Sequence, residues 1–128
     1  MTTTAADLIA RARDTIDNLS VAESAEEIAR GDVLLVDLRE PAERQSDGYI
    51  AGSILAPRGL LEFWADPTSS HHLPAFDPCR RTIVYCASGA RSALAGATLR
   101  QLGYRHVAHI DGGIKAWKDA GRPVTQDD

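Results

Sequence analysis

Residues 85–96 read "YCASGARSALAG". The apolar run "TIVYC", Thr82 to Cys86, ends on a thiol. Ala87, Ser88, Gly89 and Ala90 follow with almost no side-chain bulk, and "RSALAGATLRQLG" then has a helical pattern ending at Gly103. This order predicts a strand, a tight loop and a helix in direct succession. With so little bulk, backbone N–H groups can curl inward around one point. A helix beginning near Arg91 or Ser92 adds first-turn N–H groups that have no partner inside the helix. Such a ring is an anion cradle. Its field favours thiolate over thiol and makes Cys86 a candidate nucleophile. Gly89 supplies the positive φ that a sharp reversal needs. The competing reading is a small buried hydrophobe at a strand end, with Arg91 as a surface cation.

Working outward, the same alternation recurs. The apolar run Val33 to Val36 in "DVLLVDLRE" predicts a strand covered on both faces, and "PAERQS" a helical turn entered at Pro41. "GSILAP" predicts a short strand, "RGLLEFWAD" a helix and "PTSSHHLPAFDP" a surface loop. "HVAHI" and "GGIKAWKDAG" complete the chain with a strand and a helix. Towards the start, Ala5, Leu8, Ile9, Ala12, Ile16 and Leu19 recur at helical spacing and predict one helix running through them. Ser20 and Glu23 form a capping-box signature for a second helix, ended by Gly31 near Arg30. Strands alternating with helices predict an α/β fold, with a mainly parallel sheet covered on both faces. Sites in such sheets lie beyond the carboxyl ends of the strands. Cys86, Asp37 and Arg58 all fall at or just after predicted strand ends.

The composition limits the function classes. The 128 residues are 44% hydrophobic and 25% charged, with a net charge of -4, which fits one globular domain. The acidic balance argues against a nucleic-acid surface or a polybasic membrane anchor. No apolar stretch reaches the ~18 residues of a membrane span, and the start lacks the apolar segment of a signal peptide. The chain therefore reads as cytoplasmic. The two cysteines, Cys79 and Cys86, flank a strand. At about 3.3 Å per residue this puts their Cα atoms ~20 Å apart, beyond the ~7 Å reach of a disulfide. Two cysteines offer no four-ligand zinc spacing, and adjacent His71 and His72 diverge along an extended backbone. Neither a metal nor a cofactor is expected.

Four segments resemble a known family. "CASGARS" matches the active-site pattern C-x-x-G-x-R-[ST] of rhodanese-like domains. "DLREPAE" (Asp37, Arg39, Glu43), "GYIAGSILAP" and "GYRHVAHIDGGIKAW" look like the family's other segments, in family order. The resemblance implies a three-layer α/β/α rhodanese fold with about five mainly parallel strands over residues 19–124, after an N-terminal helical extension of residues 1–18 and before a tail of residues 125–128. It implies a sulfurtransferase in which Cys86 takes a sulfane sulfur from a small anionic donor or a protein persulfide and passes it to a thiol acceptor. The loop Ala87, Ser88, Gly89, Ala90, Arg91 and Ser92 would hold the anion. The count of six residues from Cys86 to Arg91 matches sulfurtransferase-type relatives, whereas related phosphatases and arsenate reductases have one more.

Around this loop, Asp37 is expected to brace the loop or Arg91, Arg39 to fix the following segment and Arg58 to face the loop mouth and attract an anionic donor. Arg91 is expected on loop carbonyls or on Asp37, and Ser92 at the helix cap. Two departures stand out, of which the first touches only a local structural contact and the second the substrate. Tyr49 stands where the family has histidine, and neutral Ala87 and Ser88 replace the basic residues common in thiosulfate-using relatives, which favours a persulfide donor over thiosulfate. The alternatives are a non-catalytic protein-binding rhodanese module and a cysteine phosphatase or arsenate reductase. Oligomeric state stays open.

Overall fold

The computed structural model describes residues 2–127. Five parallel strands lie in the order β1-β5-β4-β2-β3. They are β1 (Asp17–Leu19), β2 (Leu34–Asp37), β3 (Ile54–Leu55), β4 (Thr82–Tyr85) and β5 (Val107–Ile110). Between them run α1 (Ala5–Arg13), α2 (Val21–Arg30), α3 (Pro41–Asp47), a 3-10 turn (Arg58–Leu60), α4 (Leu61–Ala65), α5 (Ala90–Gln101) and α6 (Gly113–Asp119).

Strand alternation divides the apolar residues between two cores. Leu34, Val36, Val84 and Val107 point to the face covered by α4 and α5, where they meet Leu61, Phe76, Ala95, Leu99 and Tyr104. Leu35, Ile83, Tyr85, Ala108 and Ile110 point to the opposite face and pack with Ile114, Trp117 and partly buried Ala25 and Ile28. Every residue of β2, β4 and β5 is buried, as expected for parallel strands covered on both sides. At about 25 cal/mol per Å² of apolar area, these two layers supply the main driving force for folding. The capping box of α2 is present: Ser20 Oγ accepts from Glu23 N and Glu23 Oε1 from Ser20 N. Gly31 ends the helix at φ +80°, a conformation that suits glycine.

The first helix is shorter than its periodicity predicts. It stops at Arg13, and Asp17–Leu19 pair with β5 as the edge strand β1. Thr15 Oγ1 donates to Ala12 O, and Asn18 Nδ2 donates to Arg13 O and Ile16 O. These side chains satisfy the final carbonyls and turn the chain. Ile16 and Leu19 therefore share helical spacing but enter different cores, one on each face of the sheet.

Candidate active site

Parallel strands bring Asp37, Cys86 and Asp111 to the same carboxyl edge: Asp37 is the last residue of β2, and Cys86 and Asp111 directly follow β4 and β5, the next two strands of the sheet. Cys86 leaves β4 and the chain turns at Gly89, whose φ of +110° makes it the N-cap of α5. The turn folds two backbone donors back onto the sulfur. Gly89 N–H lies 3.2 Å and Ser92 N–H 3.4 Å from Cys86 Sγ. Both groups belong to the turn and first helical turn, where an amide has no intrahelical acceptor. The thiol is only 1% exposed, so these amides, with Ser92 Oγ at 3.5 Å, take the place of solvent around it.

A second turn braces the loop from behind. Gly112 and Gly113 leave β5 with φ of +84° and +64°. Ile114 N–H then donates to Cys86 O at 2.9 Å and Lys115 N–H to Ala87 O at 3.0 Å. This approach leaves no space for a side chain at residue 113, where a Cβ would sit 2.5 Å from both carbonyl oxygens. The paired glycines are therefore part of the scaffold that aims the cysteine.

The charged residues make different partnerships from those expected. Asp37 is fully buried and accepts from Arg39 Nε and Nη2, both at 2.9 Å, and from Arg44 Nη1 at 3.1 Å. It does not pair with Arg91. Arg39 also donates to Gly48 O at 2.7 Å, which ties it to the residue that ends α3. Arg44 stacks over the Tyr49 ring at 3.7 Å and donates to Ser53, so Tyr49 has a structural neighbour. Arg91 forms a bidentate pair with Glu43, at 2.7 and 2.9 Å, joining the first turns of α3 and α5. That hydrogen bond holds Glu43 down to about 2. The same bond, with a smaller contribution from Cys86, raises Arg91 further above its ordinary value.

Arg58 is not drawn into the loop. Its Nη1 donates to Glu62 at 2.8 Å and its Nη2 to Thr98 Oγ1 at 3.2 Å. Thr98 lies two turns along α5 from the cysteine loop, and Arg58 lines a groove there with Leu8, Arg11 and Leu94. Of the apolar residues near it, Leu61 is buried while Leu60 and Phe63 are exposed. Cys79 is an exposed free thiol. Ser92 does not act as the helix cap through its hydroxyl; it is buried against the sulfur, with Oγ 3.5 Å from Sγ.

Sequence reasoning missed His109. It is fully buried and stands 2.8 Å from Ser92 Oγ through Nδ1 and 2.8 Å from Asn18 Oδ1 through Nε2. The available signal was the alternation of "HVAHI", which puts His109 on the same face as Val107, under the helix that follows the cysteine loop.

The site can stabilise negative charge on a sulfur, using fixed amide dipoles and a helix start around a buried Sγ. The sequence model of the Rhodanese-like domain matches residues 20–120. A sulfurtransferase of Allochromatium vinosum is 41% identical over 93 residues, 73% of this chain and 78% of the relative. A solved structure from Rhodopseudomonas palustris, of unknown function and described as a possible tyrosine phosphatase, is 40% identical with a TM-score of 0.91, covering 98% of this chain and 96% of that one. The polysulfide-sulfur transferase homodimer of Wolinella succinogenes is 28% identical with a TM-score of 0.73, covering 93% and 85%. The parallel sheet, the cysteine loop at its carboxyl edge and the family match over residues 20–120 place this chain in the rhodanese-like family.

Proposed function

We propose that this protein is a sulfurtransferase in which Cys86 carries a sulfane sulfur between a donor and a thiol acceptor. The observation that carries this reading is the pair of backbone N–H groups, from Gly89 and Ser92, aimed at Cys86 Sγ. In the first half-reaction the Cys86 sulfur attacks the outer sulfur of a donor such as a persulfide, R–S–SH. A new S–S bond forms, the donor S–S bond breaks, and R–S⁻ leaves with that electron pair. In the second, an acceptor thiolate attacks the outer sulfur of the Cys86 persulfide and returns Cys86 to its starting form. The amides stabilise the anionic sulfur in both steps.

A phosphatase reading is favoured by the description of the Rhodopseudomonas relative. The charge arrangement favours sulfur instead. A phosphate ester dianion needs a clamping cation, and both terminal nitrogens of Arg91 are already engaged by Glu43. Neutral Ala87 and Ser88 add no further charge, which favours a persulfide over thiosulfate as donor.

Intact mass after incubation with thiosulfate, mercaptopyruvate or a cysteine-desulfurase persulfide separates these readings. The wild-type chain should gain one sulfur, lose it on reduction with dithiothreitol, and show no gain in Cys86→Ser. A chain that accepts sulfur from no donor but hydrolyses an aryl phosphate through Cys86 is a phosphatase. One that does neither is a binding module.

A further inference from the structure

Four side chains form a continuous hydrogen-bonded line from the cysteine through the sheet to its edge. Its members are Cys86 after β4, Ser92 on α5, His109 on β5 and Asn18 on β1. The polarity of this line follows from its far end. Asn18 Nδ2 donates to Arg13 O at 2.9 Å and Ile16 O at 3.3 Å. The amide oxygen therefore faces the imidazole, and His109 Nε2 must bear the hydrogen. Nδ1 is then an acceptor, and the Ser92 hydroxyl is its donor. Ser92 Oγ has one proton to give, so towards Cys86 it presents a lone pair, and the thiol donates to it. Gly89 O competes for the hydroxyl proton at 3.2 Å. Choosing it would leave His109 Nδ1, fully buried, facing oxygen lone pairs, an arrangement that carries the desolvation penalty of an unmade bond.

We propose that His109 is the proton acceptor for Cys86, acting through the Ser92 hydroxyl when the sulfur becomes a nucleophile. The S–H bond breaks as Ser92 Oγ takes that proton and releases its own to His109 Nδ1. The electron pair left on Sγ forms the new bond, and the leaving group departs with the pair of the bond it gives up. The proton then returns through Ser92 to the departing thiolate. His109 is thus a positioning residue that holds a proton without touching the donor, and Asn18 selects its tautomer.

The surroundings suit this role. The charged groups facing His109 are Asp111, two residues along from it, and Arg13 of α1, and these pair with each other at 2.9 and 3.0 Å. Burial holds the imidazole below the ordinary histidine range, opposed by Asp111 and reinforced by Arg13. At neutral pH the ring is therefore uncharged and Nδ1 offers a lone pair to the Ser92 hydroxyl; the same burial disfavours the imidazolium, so the ring holds the proton only transiently before returning it. The Sγ, Oγ and ring contacts do not depend on what the cysteine attacks; only the identity of the leaving group rests on the sulfurtransferase reading.

The test follows the alkylation rate of Cys86 by iodoacetamide from about pH 5 to 9 in a Cys79→Ser background, which leaves one thiol, with sulfur uptake measured on the same preparations. Glutamine at residue 109 can keep both hydrogen bonds but takes no proton. His109→Gln should slow alkylation about tenfold at neutral pH and move the profile about one unit upward. Ser92→Ala should give the same shift, and the double variant no further loss. A His109→Gln profile that overlays the parent's would show a purely structural histidine and overturn the proposal. Should the variants not fold, nitrogen NMR of the unaltered chain still decides: the Nε2–H tautomer at His109 supports the relay, and Nδ1–H excludes it. Alkylation needs no sulfur donor. A shifted profile in a chain that loads no sulfur therefore sinks the transferase reading and leaves the relay, whereas loading with an unshifted profile sinks the relay alone.

Discussion

Gly113→Ala should be among the most damaging single-carbon additions to this chain. The added Cβ would lie 2.5 Å from Cys86 O and Ala87 O, where real Cβ atoms keep at least 3.0 Å. Both obstacles are backbone atoms, so neither can rotate away. The start of α6 must move back by about 0.5 Å, which weakens the Ile114–Cys86 and Lys115–Ala87 hydrogen bonds, each contributing about 1 kcal/mol. Holding alanine at φ +64° costs a further ~1–2 kcal/mol. The sum is a loss of about 3–4 kcal/mol. Gly121→Ala provides the internal control. Its φ is +78°, but nothing lies within 4 Å of the added atom, so it should lose only the left-handed backbone cost of ~1–2 kcal/mol. Urea unfolding of the two variants, compared at equal m-values, measures the difference. Sulfur uptake should also fall in Gly113→Ala, because the displaced carbonyls belong to the cysteine loop. Equal destabilisation of the two variants would refute the reasoning, since it would mean that the close approach at residue 113 has no energetic consequence.

Other expectations concern the charged frame and the second thiol. Asp37→Asn removes the carboxylate shared by Arg39 and Arg44 and leaves Arg39, only 1% exposed, without its counter-charge; a loss of about 3–5 kcal/mol in urea unfolding is expected. Glu43 is lowered from 4.5 to about 2 by Arg91. A depressed carboxyl stabilises the fold fully above its unfolded value and loses that contribution as pH falls from about 4.5 towards 2. After allowance for solvent screening, this amounts to about 1 kcal/mol. Stability measured across that window should therefore fall more steeply in wild type than in Arg91→Met. Cys79→Ser should load sulfur as wild type does, checked by intact mass, because Cys79 is an exposed loop thiol outside the cradle.

The parts of this account that were legible in the sequence are those written in consecutive residues. The strand ending on Cys86, the small loop and the helix after it are contiguous, so pattern and bulk suffice to place them. The Ser20–Glu23 box and the Gly31 cap are legible for the same reason. Contacts between distant segments are not. Arg91 finds Glu43 across 48 positions, and no local pattern distinguishes that partner from Asp37. Arg58 follows a strand end, yet side-chain acceptors on α4 and α5 draw it along the helix and off the loop. The edge strand β1 was obscured because Ile16 and Leu19 satisfy a helical period by coincidence, while polar side chains at Thr15 and Asn18 turn the backbone between them. His109 occupies one apolar-facing position in a four-residue strand, a signal too short to mark it as chemistry. Its meaning comes only from Ser92 and Asn18, which approach it from two other elements.

The most direct test of the cradle is a crystal structure of the chain after exposure to a sulfur donor under native conditions. One additional sulfur should lie about 2.05 Å from Cys86 Sγ, inside the loop and within hydrogen-bonding distance of its backbone N–H groups. A sulfur directed out to solvent from loop amides turned away, or carried on Cys79 with Cys86 unmodified, would contradict the account.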